Sequence, residues 1–365
     1  MSKNYNGYSC GMVYIMTNSA ECNQIAAFYR NSEGLLSLNR LYKTQGRGTG
    51  SREVSSATPT NGIDPLASQG SLVLSDNQHF LFAVNAGSNT VSSFCVLNNG
   101  ELSFSDVVPS GGIQPNSICV KNNILYVSNV GDKKNDSNIT GFYIDNRGHL
   151  TPIPYSTYSL STPNAQPSHI IFSPDGKQLI ASELTTNRLS VYPIDNKGVS
   201  SCPTVNDSNG KGPFGSAFTS SRVLIVAEAE TNALSSYSIS PNGLLDVVCG
   251  SIKNGQQATC WISITPDSKY AYTSNTSSRT ISFYRVYPNG SLEYIESINS
   301  TSNCPNLGAP IDNGISNDGQ YLYVLNGNKG SISVFGIKSN GYLVLLQEIE
   351  CREIPQFGTQ GLAVF

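Results

Sequence analysis

Charge is what this chain has least of. Only 13% of its 365 residues are Asp, Glu, Lys or Arg, and the formal net charge is -3. No broad basic surface is therefore available to neutralise a phosphate backbone, which disfavours nucleic acid as a partner class. No apolar run approaches the roughly 20 residues of a membrane span. The N-terminal stretch MSKNYNGYSCGMVYIMTN also lacks the apolar core of a secretory signal. A soluble, cytoplasmic chain without membrane contact is the expectation. The nine cysteines include no C-x-x-C pair, which argues against a zinc site and favours reduced thiols over a disulfide framework. There is no Gly-x-Ser-x-Gly elbow, P-loop or dinucleotide fingerprint, so covalent serine catalysis and nucleotide chemistry have no support. Nor is there a sustained i, i+3, i+4 apolar pattern that would argue for helices.

What the chain does have is a repeated cassette. Residues 166–182 read QPSHIIFSPDGKQLIAS: an apolar run, a Ser-Pro-Asp-Gly turn, a second apolar run and then a polar stop at Glu183. This is a strand, a tight turn and a returning strand, because Pro174 presets φ and Gly176 tolerates positive φ. Aligned on the polar stop, seven copies appear, with stops at Asn18, Asn85, Asn129, Glu183, Glu228, Asn275 and Asn326. Each is followed by an alternating strand and then a turn such as Asn99-Gly100, Asn242-Gly243 or Asn340-Gly341. Four strands per unit, recurring about every 45–55 residues, predict an all-β, seven-bladed β-propeller of four-stranded antiparallel blades. A single domain spanning residues 1–365 is expected. The first copy lacks an innermost strand, and residues 359–365 (TQGLAVF) resemble Ser68-Gln-Gly-Ser-Leu-Val-Leu74, so the C-terminus should complete the N-terminal blade and close the ring. Between the first two copies, residues 44–65 form a long polar loop carrying Arg47 and Arg52. Loops of that kind are usually either disordered or functional.

In a four-stranded blade the start of the innermost strand and the loop after the second strand share the mouth of the central channel. At the first position the copies carry Ser71, Ser117, His169, Gly215, Trp261, Asp312 and Leu362. His169, one of three histidines, reads either as a structural residue or as a proton carrier. Glu183 and Glu228 replace the usual Asn, reading as turn caps or as acid/base groups beside His169. Trp261, the only tryptophan, reads as core or as a stacking wall for a ligand. Gln69 and Gln166, with Gln114 and Gln360, precede innermost strands and are expected to offer neutral hydrogen-bonding groups to the channel. Asp312 adds a third carboxylate. Ca²⁺ is the one ion this set suggests, but it takes roughly six to eight oxygens, and no cofactor is expected.

The cassettes Gln166-Pro-Ser-His169 with Ser173-Pro-Asp-Gly176, Ser68-Gln-Gly-Ser-Leu with Phe82-Ala-Val-Asn-Ala-Gly87, and Gly255-Gln-Gln-Ala-Thr-Cys-Trp261 with Tyr270-Ala-Tyr-Thr-Ser-Asn275 resemble the seven-bladed lactonase propellers. That family includes 6-phosphogluconolactonase-like and carboxy-muconate cyclase-like proteins. The resemblance implies a site of one His, one Glu and two Arg. His169 matches the His, and Glu228, in Val226-Ala-Glu-Ala229, matches the Glu; Phe214 and Thr276 stand where the arginines are expected. Without cations to stabilise an oxyanion, an anionic substrate is disfavoured unless Arg47, Arg52 or Arg279 reaches the mouth. The implied activity is hydrolysis of a neutral or weakly charged lactone, a cyclic or sugar-like ester. Glu228 or His169 would activate water, the other would protonate the leaving alkoxide, and Glu183 and Gln166 would orient the pair. Gln69, Trp261, Asp312 and Arg47 would contact the substrate. The rival expectation is a non-catalytic propeller that binds a protein or a ligand.

Overall fold

In a computed structural model that describes residues 11–55, 61–195, 197–199, 202–302 and 307–365, the chain folds into seven antiparallel sheets arranged as a ring. The turn chemistry sets each hairpin. Ser173 Oγ accepts the returning Gln178 amide at 3.0 Å and donates to Asp175 Oδ1 at 2.8 Å, while Gly176 takes φ +70°. The same hydroxyl role recurs at Ser75, Thr265 and Ser316. In the third and fourth sheets the outermost strand is split in two, Leu150–Pro152 with Tyr158–Ser159 and Gly198–Val199 with Thr204–Asp207. Among the described residues no helix is long and apolar enough to cross a membrane.

The ring closes as expected. The C-terminal strand Leu362–Val364 pairs antiparallel with Gly11–Met16, with Val13 opposite Val364 and Ile15 opposite Leu362. Seven innermost strands then surround one axis, each touching the next. Tyrosine hydroxyls at one repeated position rivet neighbouring blades: Tyr14 to Gly100 O, Tyr272 to Gly341 O and Tyr323 to Gly34 O, at 2.5, 2.7 and 3.0 Å. Apolar clusters fill the wedges between the sheets.

The first blade is offset by one residue from the sequence alignment. Met16 N donates to Gly361 O just as Val84 N donates to Ser71 O. Thr17 therefore stands at the stop, rather than Asn18, and Gly361 takes the place of Leu362 at the position matching His169. The cause is a longer loop: six residues, 18–23, separate the second and third strands, against four, 86–89, in the next blade. Asn18, displaced into that loop at φ 48°, uses its amide to hold the long segment, donating to Thr49 Oγ1 and to the carbonyls of Gly50 and Gly358. The described part of that segment is clamped to the blade tops. A Cβ on Gly48 would lie 2.1 Å from Asn18 O, and one on Gly87 would lie 2.0 Å from Gly48 O. Only glycine permits so close an approach.

Candidate functional site in the central channel

Five innermost strands begin with the same irregularity. The residue before the strand is left-handed (Gln114, Gln166, Gly212, Ala258, Gly308), and a bulge follows, between Pro115 and Ser117, Pro167 and His169, Pro213 and Ser216, Thr259 and Ile262, and Pro310 and Asp312. Bulges re-aim side chains, and here His169 and Asp312 end up lining the channel. Gln114 and Gln166 occupy the left-handed position, so their place in the chain has a backbone explanation. Gln114 ties the long loop to the third blade, accepting from Ser55 N at 2.9 Å and donating to Gly131 O at 2.9 Å.

The mouth is closed from within. Residues 64–70 run across it, and Gln69, from the second blade, reaches over the axis to the sixth. Its Nε2 donates to Ile262 O at 3.1 Å and its Oε1 accepts from Ile262 N at 3.0 Å. Trp261 Nε1 donates to Ser68 O at 3.0 Å, an oxygen that also accepts from Gln360 Nε2 at 2.9 Å. Ser68, Trp261 and Gln360 are fully buried. Gly215 leaves room for the crossing, since a Cβ there would lie 2.1 Å from Gln69 Oε1. Phe214 packs edge-on against Trp261, ring centroids 5.0 Å apart, so an apolar pair stands where a cation was sought. Thr276 donates to Pro310 O at 3.0 Å.

The channel opens at the opposite face. Side chains near the mouth are buried, whereas Val73, Ile171, Ala217, Ser263, Ile315 and Val364, farther along the strands, are partly exposed. The result is a blind cavity of about 580 Å³, with Asp76, Lys121 and Pro174 at its outer end and Gln69, His169 and Asp312 at its floor. His169 Nδ1 accepts from Ser216 N at 3.1 Å and lies 2.9 Å from Ser216 Oγ. An accepting Nδ1 assigns the proton of the neutral ring to Nε2. Burial lowers the His169 pKa to about 3, because a desolvated imidazolium is disfavoured. The ring is therefore neutral at physiological pH. Asp312 accepts from Leu362 N at 3.0 Å and Asn313 N at 2.9 Å; burial nevertheless raises its pKa well above the usual carboxylate value, with nearby Asp64 adding to the shift. Half-buried Asp64 is itself raised to about 7, first by loss of solvent. The cavity floor is thus polar, and its environment disfavours charge.

The structure does not bring Glu183 and Glu228 to this floor. Both are fully buried one layer out, with their oxygens engaged by hydroxyls. Glu183 accepts from Ser161 N, Ser161 Oγ, Thr186 Oγ1 and Ser190 Oγ. Glu228 accepts from Ser235 Oγ at 2.5 Å and Ser251 Oγ at 2.8 Å, and Gly210 covers it so closely that a Cβ would lie 2.0 Å from Oε2. Asn85, Asn275 and Asn326 make the same clasp, donating to Ser92, Ser282 and Ser333. In every one of these blades the partner is a serine seven residues downstream. That Asn/Glu-x₆-Ser spacing is written in the sequence and marks a structural clasp; comparing the stops alone missed it. A carboxylate at this site only reverses the hydrogen bond, so that the serine donates. Trp261 belongs to the seal rather than to the cavity wall. Arg47 lies off the axis, at a separate pocket. No group of three or more His, Cys, Asp or Glu suited to a metal gathers among the described residues.

Comparison with known proteins agrees with this architecture. Residues 51–356 match the family model described as lactonase, 7-bladed beta-propeller. A 6-phosphogluconolactonase of Buchnera aphidicola is 23% identical over 288 residues, covering 76% of this chain and 84% of that protein. Among solved structures, the periplasmic gluconolactonase PpgL of Pseudomonas aeruginosa superposes with a TM-score of 0.75 at 16% identity, over 97% of this chain and 98% of the other. The functionally unknown Desulfotomaculum acetoxidans protein gives 0.68 at 13% identity, with 97% and 98% coverage.

Proposed function

The chain belongs to the lactonase family of seven-bladed β-propellers, and from that premise we propose that it is a ligand-binding propeller, taking a small neutral molecule into the blind channel from the face opposite the mouth. One observation carries this reading: the hydrogen bonds of Gln69 with Ile262 and of Trp261 with Ser68 across the mouth. A substrate arriving at the mouth meets a wall. From the other face it meets a cavity lined by aliphatic side chains interspersed with polar groups that converge at the floor, a make-up able to hold a small molecule. Neutral ligands suit it best, because an anion at the floor would face the neutral ring of His169 and the carboxyl group of Asp312, with no guanidinium in place of Phe214. The phosphorylated substrate implied by the name of the Buchnera relative is for that reason a poor fit.

Lactone hydrolysis inside the channel is the second reading, and one observation favours it. His169 lines the cavity with Nδ1 already engaged, leaving Nε2 without a partner among the described residues. A single titration series separates the two. Neutral γ- and δ-lactones added to the native protein are expected to bind without turnover above the uncatalysed rate. His169→Asn, which keeps an acceptor for Ser216 N, should weaken binding roughly three- to tenfold, the worth of one hydrogen bond. Turnover by native protein that disappears in His169→Asn would establish the hydrolase instead. Neither binding nor turnover would reject both readings.

A further inference from the structure

We infer that the pocket between the long loop and the tops of the first three blades is a second ligand site, selective for a small organic oxyanion with a short apolar body. The cavity is about 390 Å³. Arg47, Arg52 and Glu53 line it from the loop, and Ala20, Ala86 and Ile113 supply apolar wall. Both arginines are exposed, and among the described residues neither guanidinium lies within salt-bridge distance of a carboxylate. That sets them apart from Arg30, Arg222, Arg285 and Arg352, each of which is paired with an acid.

The loop that presents them is held in place. Gly48 N donates to Ser19 O and Gly50 N to Asn18 O, both at 2.8 Å; Gly87 N donates to Arg47 O and Arg47 N to Ser88 Oγ, both at 3.0 Å. Ser55 N is fixed on Gln114 Oε1 at 2.9 Å. With no acid partner among the described residues, the two guanidinium forks on this braced backbone can turn toward a carboxylate or a phosphate ester, whose oxygens match the fork. The apolar wall then favours a ligand with a few carbons behind the charge. Glu53 limits the net charge of the pocket and so tunes its affinity. This site lies away from the channel, and the channel reading does not depend on it.

Calorimetric titration of the full chain at low salt tests it, with the probes acetate, butanoate, hexanoate, methyl phosphate and inorganic phosphate. One site per chain is expected, with affinity rising along the carboxylate series. Arg47→Gln and Arg52→Gln should each weaken binding about tenfold, and Glu53→Gln should tighten it about threefold. Methyl phosphate bound more tightly than acetate would assign the head group as a phosphate ester, and the reverse order as a carboxylate. The proposal is overturned if no probe saturates, if affinity ignores both arginine substitutions, or if His169→Asn abolishes the binding instead. All three pocket substitutions are at or near the surface, and unchanged melting temperatures would verify that the fold is kept.

Discussion

Removal of residues 359–365 is expected to leave a chain without a cooperative melting transition, recovered mainly as aggregate. The strand Leu362–Val364 supplies the innermost edge of the first blade, and Leu362 and Ala363 are buried there. Its neighbours add Met12 N to Phe365 O, Phe365 N to Met12 O, Met16 N to Gly361 O and Thr359 Oγ1 to Met16 O. Gln360 also joins the seal through Leu66 N and Ser68 O, and Leu362 N is one of two donors to Asp312. Each such bond contributes about 1 kcal/mol net, and the apolar burial adds a comparable amount per side chain. Together they rival the roughly 5–15 kcal/mol by which a domain is stable. The truncation would also bare Gly11–Met16 as an apolar, unpaired edge, a template for aggregation. Circular dichroism melts of the soluble fraction decide the matter. A cooperative transition within a few degrees of the full chain would show that the ring does not need its closing strand.

Glu228→Ala should cost about 2–5 kcal/mol, while Glu228→Gln should cost about 1 kcal/mol or less. Alanine leaves the Ser235 and Ser251 hydroxyls without their buried acceptor and opens a cavity under Gly210. Glutamine keeps one accepting oxygen and adds the kind of donor that Asn85, Asn275 and Asn326 already use toward their serines. Urea unfolding of the three proteins measures both differences. The Gln substitution should also leave ligand binding in the channel unchanged. If Gln were as damaging as Ala, the clasp would require the carboxylate's charge; if Gln abolished turnover at unchanged stability, Glu228 would be a reacting group.

The propeller was legible because its signals are local. Hydroxyl-led turns, Asn-Gly hairpins and a polar stop recur within each copy, and the C-terminal TQGLAVF announces its own place in the ring. The one-residue offset of the first blade was not, because two extra loop residues moved Asn18 past the stop and nothing in the strand itself records that. The replacement of the expected arginine by Phe214 could be read directly, and Trp261 was already open to a core role. Glu183 and Glu228 were harder. Asn→Glu looks like the introduction of chemistry, yet between buried serines it merely exchanges donor for acceptor. The seal was out of reach, since Gln69 and Ile262, like Ser68 and Trp261, are 193 residues apart and meet only once the ring has closed.

That seal has a built-in probe. Trp261 is the only tryptophan, and it sits fully buried at the closed mouth, so acrylamide quenching of native fluorescence reports access there directly. Blue-shifted emission that acrylamide barely quenches is predicted for the native protein, with quenching rising sharply in Gln69→Ala. Red-shifted emission, freely quenched in the native chain, would mean that the mouth is open and that the ligand need not enter from the other face.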